Sequence, residues 1–518
     1  MTFTAVLLAL ALLALSLVAA ALSRSARAGA FVYLASAALS GGLALVALAA
    51  LVTDAAPGAL VLPVGLPWIG AHLRLDALSA VFLLLLGIGA AAASVFAVGY
   101  GRHERAPERV LPFYPGFIGA MAFVLLADDA FTFLLAWEVM SLLSFALVLS
   151  DHRAEAAREA AHLYLVMAVG GTMVLLLAFG MLAGAGGGYA FEAMRAASGN
   201  RAPWLVALVL GLMLVGAGSK AGLMPLHVWL PVAHPAAPSH VSALMSAVMT
   251  KVALYGLVRV GFDLLGPVPW WMSPAVILVG AGTAVMGILF ANVDGDGKRV
   301  LAWSTIENVG VIVAALGLAL AFRANGMDLL AALALTAALL HALNHMVFKS
   351  LLFMVAGAVL TATGRRELDA LGGLIHRMPV TAVLALIGVA AISALPPLNG
   401  FVSEWLLFQA VLQSPALPER GMQFLVPAAG GMLALAAALA AAAFVRFYGV
   451  IFLGRARSPE AGAAGEVDGF SRAGMAAMAG LAVLLGILPG VAIDLVAPAT
   501  RLLTGASLAP QAARPWAT

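Results

Sequence analysis

Three of the four lysines in this chain lie inside long apolar stretches of sequence: Lys220, Lys251 and Lys349. A charged ammonium group near the centre of a bilayer costs about 2.5–3.5 kcal/mol even on a lenient insertion scale, so each lysine needs a partner, water or a function. A desolvated lysine loses its proton readily, whereas an arginine does not. The choice of lysine favours sites that alternate between charged and neutral forms, although a structural ion pair or a side chain that reaches the membrane surface would also explain it.

Two glutamates share this apolar setting. Glu138 lies within LLAWEVMSLLSFAL and Glu404 within LNGFVSEWLLFQA, and we predict that both carry protons. Glu307 follows shortly after the polar loop that contains Lys298 and Arg299. A capping or loop-pairing role therefore explains its position as well as a functional one does, and we treat it as an accessory group.

A third set of ionisable groups has helical spacing. His341, His345 and Lys349 follow one another at i, i+4 steps in HALNHMVFKSLLF, so they form one slowly drifting stripe with neighbours a turn apart. This spacing predicts a proton relay. Structural hydrogen bonding or a metal held by the two histidines would use the same spacing, but no HExxH pattern accompanies it and the chain has no cysteine. We therefore expect no metal site.

Prolines interrupt two predicted helices close to ionisable groups. Pro225 comes a few residues after Lys220, and Pro396 and Pro397 come just before Glu404. Non-helical backbone at membrane depth is tolerated only where protein or water satisfies its polar groups. We therefore predict two discontinuous helices that flank an ion site.

Three further histidines surround the first interruption. His227 is a potential bridge between Lys220 and Lys251. The stretch PVAHPAAPSH is predicted as a tight turn between two helices, because it is rich in proline. This turn would place His234 and His240 at the mouth of the proton path at most, with His240 as an accessory group.

Membrane-spanning helices must position these residues. Of all residues, 64% are hydrophobic and 10% are charged, and the mean hydropathy is +1.07, whereas a soluble domain is roughly a quarter charged. Because a span needs about 20 apolar residues, the sequence predicts an all-α polytopic membrane protein. About fourteen helices are expected near 2–22, 29–52, 76–99, 111–127, 130–149, 161–183, 203–230, 239–260, 270–292, 300–322, 328–358, 380–412, 424–453 and 472–498.

The two interruptions fall in the predicted seventh and twelfth helices. Because the two helices are five apart, an odd number, they cross the membrane in opposite directions, which is typical of an inverted repeat. We predict three N-terminal helices in 1–110, inverted five-helix bundles in 111–260 and 261–453, and a last helix with a short tail in 454–518.

Basic residues are distributed unevenly between the two ends of the predicted helices. The connections after odd-numbered helices hold sixteen of the 27 lysines and arginines, and the opposite side holds eight. We call the first side the arginine-rich face. By the positive-inside rule it faces the cytoplasm, and both termini lie on the other side. The formal charge of +3 reflects this bias, so we expect no nucleic-acid partner.

Four motifs cover roughly the fourth to the twelfth helix: WEVMSLLSF, KAGLMPLHVWLPVAHPAAPSHVSALMSAVMTKVALYGLVRV, LNHMVFKSLLF and LPPLNGFVSEW. Together they resemble the antiporter-type subunits shared by respiratory complex I, multisubunit cation/proton antiporters and membrane-bound hydrogenases. Within them, HPAAPSHVSALMSAVMTK is most similar to hydrogenase-4 component B and the related formate hydrogenlyase membrane subunit.

The resemblance implies a role for each matching residue. Glu138 and Lys220 would form the pair that gates proton uptake, and Lys251 would be the eighth-helix lysine that follows it. The remaining groups would be the central relay and the terminal acid, which correspond to His341, His345, Lys349 and Glu404.

The resemblance also implies a function and partners. The chain would be a proton-translocating, non-redox subunit of a redox-driven complex in a bacterial inner membrane, with no cofactor of its own. Its partners would be the lipid bilayer, other membrane-arm subunits and hydrophilic redox subunits. Two alternatives stay open: a Na⁺/H⁺ antiporter subunit, and a membrane anchor for a hydrogenase.

Overall fold

The computed structural model of the protein describes residues 1–25, 28–54, 56–65, 70–104 and 106–511. Three of the arginines counted for the orientation, Arg27, Arg105 and Arg514, lie outside the described residues. A β-hairpin formed by β1 (Ala59–Leu62) and β2 (Ala71–Arg74) is the element that the all-α prediction missed. The described helices are α1 (Thr2–Leu22), α2 (Ala28–Val52), α3 (Ala77–Tyr100), α4 (Tyr114–Leu126), α5 (Ala130–Val148), α6 (Glu155–Ala183), α7 (Phe191–Ala196), α8 (Pro203–Ala221), α9 (Leu230–Ala236), α10 (Ser239–Leu244), α11 (Thr250–Val258), α12 (Ser273–Val293), α13 (Gly297–Ala324), α14 (Asp328–Thr363), α15 (Pro379–Ile392), α16 (Asn399–Leu412), α17 (Arg420–Phe452), α18 (Pro459–Ala463), α19 (Gly469–Ile487) and α20 (Pro489–Thr504).

The polytopic membrane fold is confirmed. In the described part of the chain, thirteen helical segments are long and apolar enough to cross a membrane. They correspond to the predicted spans other than the twelfth. That span is divided between α15 and α16, each of which is too short to cross alone.

Both predicted helix interruptions are present. α8 ends at Ala221, and the next residue, Gly222, has a φ of +95°, a left-handed conformation that favours glycine. Pro225 lies in the irregular segment between α8 and α9, and Pro396 and Pro397 lie between α15 and α16. Because proline lacks an N–H and restricts the residue before it, both interruptions have a local cause in the sequence.

The eighth and tenth spans form the centre of the fold. The eighth span is α10, a π-helical segment over 245–249, α11, and a second π-helical segment over 259–264. All of the apolar stretch of this span is buried, and the same holds for α13. A span that is buried all round can carry polar groups only where other parts of the protein satisfy them.

α12 and α13 approach each other at backbone distance. A Cβ atom added to Gly287 of α12 would lie 2.6 Å from the backbone nitrogen of Glu307 of α13. Only glycine therefore allows this approach, as is common where small residues bring membrane helices together. This close approach fixes the position of Glu307, an acidic residue of the site described below.

The predicted last helix, 472–498, is two helices in the structure. α19 ends at Ile487 and α20 begins at Pro489, because proline restricts the residue before it and interrupts the helical hydrogen bonding. α20 turns back onto α3 and α14. There the hydroxyls of Thr500 and Thr336 lie 3.3 Å apart.

Candidate functional site

Three spans converge on Lys220, in the last turn of α8. Lys220 is 3% exposed. Its Nζ donates hydrogen bonds to Ser141 Oγ of α5 at 2.7 Å and to the Tyr164 hydroxyl of α6 at 2.6 Å. The Nζ also lies 4.6 Å from the centre of the Tyr164 ring, close enough for a cation–π interaction. The Tyr164 hydroxyl is in turn 2.6 Å from Ser144 Oγ, so a chain of hydroxyls surrounds the ammonium group.

Glu138 lies one turn before Ser141 on α5 and is half-buried. Its Oε2 accepts a hydrogen bond of 2.8 Å from Thr172 Oγ1 of α6. No carboxylate oxygen of Glu138 lies within 4.0 Å of the Lys220 Nζ. The structure therefore does not form the direct ion pair that the resemblance implied, because hydroxyl groups bind the ammonium group instead.

Lys251 is completely buried in the first turn of α11, directly after the π-helical segment 245–249. Its Nζ donates a hydrogen bond of 3.0 Å to the carbonyl of Ser246 and lies 3.2 Å from Thr250 Oγ1. It also contacts Nδ1 of His345. The structure thus brings the eighth-span lysine and the predicted relay of α14 into direct contact. Such π-helical segments are frequent at functional sites.

The histidines of the predicted relay are both buried on α14. The Nδ1 of His341 is 3.0 Å from Ser403 Oγ of α16, and its Nε2 is 3.0 Å from Asn308 Oδ1 of α13. The Nε2 of His345 has no hydrogen-bond partner in the described chain. Within the described residues no third histidine or carboxylate joins these two histidines in a metal-ligand cluster.

Lys349 lies one turn beyond His345 and is completely buried. Its Nζ donates a hydrogen bond of 2.9 Å to the carbonyl of Leu301 and contacts Ser304 Oγ, both on α13. The ring of Phe444 covers the same ammonium group, with its centre 5.6 Å away. Like Lys220, this lysine is bound by neutral groups.

Glu307 and Glu404 line one small cavity between α13, α16 and α17. The cavity has a volume of about 10 Å³, which is roughly room for one water molecule. The capping or loop-pairing interpretation of Glu307 is wrong: Asp296 caps α13, Lys298 donates to a backbone carbonyl at 2.8 Å, and Arg299 pairs with an aspartate at 2.9 Å. Glu307 instead belongs with the acid of the twelfth span.

His234 and His240 are both completely buried, so neither lies in an exposed turn as the sequence predicted for this stretch. The stretch PVAHPAAPSH is mostly helical: it forms much of α9 and the beginning of α10, and only Ala237 and Pro238 separate these helices. Pro231 lies in the first turn of α9 and Pro238 directly precedes α10, positions that tolerate proline, whereas Pro235 lies inside the last turn of α9. Both histidines are thereby drawn into the protein.

His227 does not bridge the two lysines in the structure. It is half-buried, and its ring centre lies 5.5 Å from that of Trp303. Trp229, two residues further on, approaches the Lys220 cluster instead, since its ring centre is 4.9 Å from that of Tyr164. Its Nε1 donates a hydrogen bond of 2.8 Å to the carbonyl of Ser219.

A closed ring of six charged side chains lies at the end of the eighth span that is opposite the arginine-rich face. Each aspartate contacts two arginines at 2.7–3.3 Å, so the ring has no net charge. Burial alone would raise the pKa of Asp76, but the adjacent Arg259 guanidinium outweighs it and holds this pKa well below its usual value. In order around the ring, the members are Arg74, Asp76, Arg259, Asp263, Arg195 and Asp128.

Comparisons with known proteins agree with this architecture. Residues 127–418, more than half of the chain, match the family described as the NADH:quinone oxidoreductase/Mrp antiporter transmembrane region. An uncharacterized protein of Mycobacterium tuberculosis is 43% identical over 443 residues, which cover 85% of this chain and 68% of that protein. Hydrogenase-4 component B of Escherichia coli is 40% identical over 419 residues, which cover 80% of this chain and 62% of that protein.

A solved structure shows the same fold. The Mrp complex from Dietzia contains a chain that superposes with a TM-score of 0.81 at 28% identity, covering 96% of this chain and 52% of that chain. This chain therefore spans between about half and about two thirds of the length of these relatives.

Proposed function

Because this chain belongs to the NADH:quinone oxidoreductase/Mrp antiporter family of membrane subunits, we propose that it moves protons through buried ionisable groups within a redox-driven assembly. The observation that carries the proposal is the setting of Lys220, Lys251 and Lys349. Each is at most 3% exposed, and none has a carboxylate oxygen within 4.0 Å in the described chain. Neither a structural ion pair nor a side chain that reaches the surface accounts for such lysines, so a titrating role is favoured.

The first step of the proposed path is at Lys220. A nearby carboxylate stabilises an ammonium group, so loss of the Glu138 charge by protonation or movement would make the lysine proton easier to transfer. Ser141 and Tyr164 hold that proton in hydrogen bonds. A hydroxyl can accept one proton while it donates another, so both residues suit a relay.

The second half of the path begins where Lys251 contacts His345. His341 lies one turn away and shares hydrogen bonds with α13 and α16, the helices that carry Glu307 and Glu404. Two adjacent carboxylates in an apolar cavity are costly when both are charged. We therefore infer that this acid pair holds and releases one proton at the end of the path.

The proposal extends to the surroundings of the chain. Its relatives include a hydrogenase component and a chain of the Mrp complex, which supports partner membrane subunits and, for redox energy, hydrophilic partner subunits. We propose a bacterial inner-membrane location with both termini on the non-cytoplasmic side, and inverted bundles over 111–260 and 261–453. The Mrp similarity favours Na⁺/H⁺ exchange as a second candidate, which sodium-dependent proton flux would support.

Substitutions at Lys220 test the proposal. The assembly would be purified through a tag on this chain, reconstituted into liposomes, and driven by a potassium diffusion potential while a trapped pH dye reports proton flux. Lys220→Ala should abolish the flux without loss of co-purifying subunits. Lys220→Arg should also fail, because arginine keeps its proton.

Ser219→Ala is the matched control, since Ser219 is a buried neighbour on α8 that makes only a weak contact of 3.4 Å to a backbone carbonyl. This variant should pump normally. Normal flux in Lys220→Ala would refute the proposal, and normal flux in Lys220→Arg alone would indicate that only the positive charge matters.

A further inference from the structure

A polar cavity opens on the arginine-rich face of the protein. Its volume is about 520 Å³, and residues from the connections after the third, fifth, seventh, ninth and eleventh spans line it. Among its lining residues, Glu104 and Asp151 are acidic, Lys298 is basic and Tyr100 carries a hydroxyl. A cavity of this size with a few converging polar groups has the character of a binding or uptake site.

Glu104 and His240 meet beside this cavity. The Glu104 side chain is 9% exposed and that of His240 is completely buried, and their Oε1 and Nδ1 atoms are 3.6 Å apart. Neither atom has a hydrogen-bond partner in the described chain. The Tyr33 hydroxyl lies 3.3 Å from both Glu104 Oε2 and His240 Nε2, so one hydroxyl joins the carboxyl group to the imidazole.

Lys298 and His234 extend this arrangement into the protein. Lys298 lines the cavity and is 2% exposed, and its Nζ donates a hydrogen bond of 2.8 Å to the carbonyl of Ala237. Its charge acts on both His240 and His234. His234 is completely buried, its ring centre lies 5.0 Å from that of Phe353, and both of its ring nitrogens lack a partner in the described chain.

The central lysines also influence His234 electrostatically. Three positive charges act on this ring, those of Lys298, Lys349 and Lys251. Leaving a buried polar atom without a partner costs free energy, because the hydrogen bonds it made to water are lost. A purely structural histidine at this position would therefore destabilise the protein, whereas a proton relay needs ring nitrogens that are free to accept and donate.

We propose that Glu104 and His240 form the site where protons are loaded from the arginine-rich face, and that His234 passes them on to Lys251 and Lys349. This inference rests on the proposed proton translocation and adds its uptake route. The proton leaves the Glu104 carboxyl group for the His240 imidazole, directly or through the Tyr33 hydroxyl, and Glu104 is then reloaded from the water of the cavity.

The protonation of Glu104 gives this route a pH dependence. Burial raises the pKa of Glu104 to about 8, and the hydrogen bond from Tyr33 opposes this rise only in part. Below about pH 8 the carboxyl group is protonated and can donate a proton to the path, and above about pH 8 it is deprotonated. The titratable and charged groups that surround the Glu104–His240 pair are Tyr33 of α2, Tyr100 of α3, Tyr114 of α4, Lys298 of α13, and Arg366 after α14.

The experiment uses the reconstituted assembly with the pH changed on one face at a time. Glu104→Gln should lower proton flux from the arginine-rich face at pH 7 by about tenfold or more. It should also remove the decline in flux above pH 8. Glu104→Asp keeps a carboxyl group and should retain most of the flux and most of its pH dependence. Glu108→Gln, an exposed acid of the same connection, is the matched control. His240→Gln should slow the flux like Glu104→Gln, with His376→Gln at an exposed position as its control.

The inference is overturned if Glu104→Gln and His240→Gln match their controls in rate and pH profile. If Lys220→Ala still blocks the flux in that case, the proposed function stands and only the uptake route is wrong. If Lys220→Ala is also without effect, both are wrong. The unmodified protein gives a test that does not depend on folding of the variants: flux that is insensitive to pH on the arginine-rich face would overturn the inference as well.

Discussion

The contribution of the six-member ion ring to the stability of the protein should come mostly from its buried pair, Asp76 and Arg259. Their Oδ1 and Nη2 atoms are 2.7 Å apart, and each side chain is 3% exposed. Removing one partner of a buried ion pair costs about 3–5 kcal/mol, because the other charge stays buried. Since Arg259 keeps Asp263 at 2.8 Å, we expect Asp76→Asn to lower the free energy of unfolding by about 3 kcal/mol, at the low end of that range.

The exposed pair of Asp54 and Arg501 is the matched control. Its atoms are 3.5 Å apart, with side chains 67% and 56% exposed, so Asp54→Asn should cost less than about 1 kcal/mol. Unfolding in mixed micelles, followed by circular dichroism over a detergent titration, measures both variants. A double-mutant cycle of Asp76→Asn with Arg259→Gln isolates the pair itself.

The pH dependence of this effect has a definite sign. Because the pKa of Asp76 is lower in the folded state, its contribution is present above the unfolded pKa of about 3.9 and is lost as the pH falls below it. The difference in the free energy of unfolding between the wild type and Asp76→Asn should therefore become smaller at acidic pH. If Asp76→Asn lowers the free energy of unfolding at pH 7 by no more than Asp54→Asn does, the reasoning is refuted.

Two further substitutions test local features of the site. Tyr164→Phe removes a hydroxyl that accepts from the Lys220 ammonium, an interaction of about 1.5–3 kcal/mol, and should reduce potential-driven proton flux by about tenfold or more; unchanged flux would count against a relay through Tyr164. Gly287→Ala places a Cβ atom 2.6 Å from the Glu307 nitrogen and should cost about 1–3 kcal/mol of stability. Gly282→Ala on the same helix meets nothing within 4 Å, so equal losses in a thermal unfolding assay would show that the close approach does not require glycine.

Charged residues in apolar sequence were the predictable part of the site. A lysine or glutamate within a span is costly whichever way its side chain points, so Lys220, Lys251 and Glu404 can be recognised from the sequence alone. The breaks at Pro225 and Pro396 have equally local causes, because proline cannot continue a helix whatever surrounds it. These features required no knowledge of tertiary contacts.

The groups that bind those charges were not predictable in the same way. Ser141 and Tyr164 resemble many other hydroxyl residues of membrane helices, and only the packing of α5, α6 and α8 directs them to one ammonium group. One signal was present: Ser141 is three residues after Glu138, Asn308 follows Glu307, and Ser403 precedes Glu404. A polar residue that shares a helix face with an acid, or adjoins it in sequence, is a reasonable first partner to examine.

Long-range contacts account for the other features of the structure that the sequence did not predict. The pair of Asp76 and Arg259 joins residues 183 positions apart. Asp263 is four residues after Arg259, but Arg74, Asp128 and Arg195 lie between predicted spans, in connections that predict no shared location. The burial of His234 and His240 was not predicted, because a proline-rich stretch usually forms a turn at the surface. Here α9 and α10 are short helices that carry both side chains into the protein.

The π-helical segment 245–249 sets the angular phase of the rest of the eighth span. A helix turns by about 100° per residue, so the one additional residue of a π turn rotates everything after it by roughly that angle. Lys251 and Arg259 both follow this turn and are therefore both rotated by it: Lys251 contacts His345 and Arg259 contacts Asp76. Wound as a regular α-helix, the span would point both away from their partners. This first π-helical segment therefore couples the direction of Lys251, which lies on the proposed proton path, to the direction of Arg259 in the ion ring, and a change in its pitch would rotate both residues.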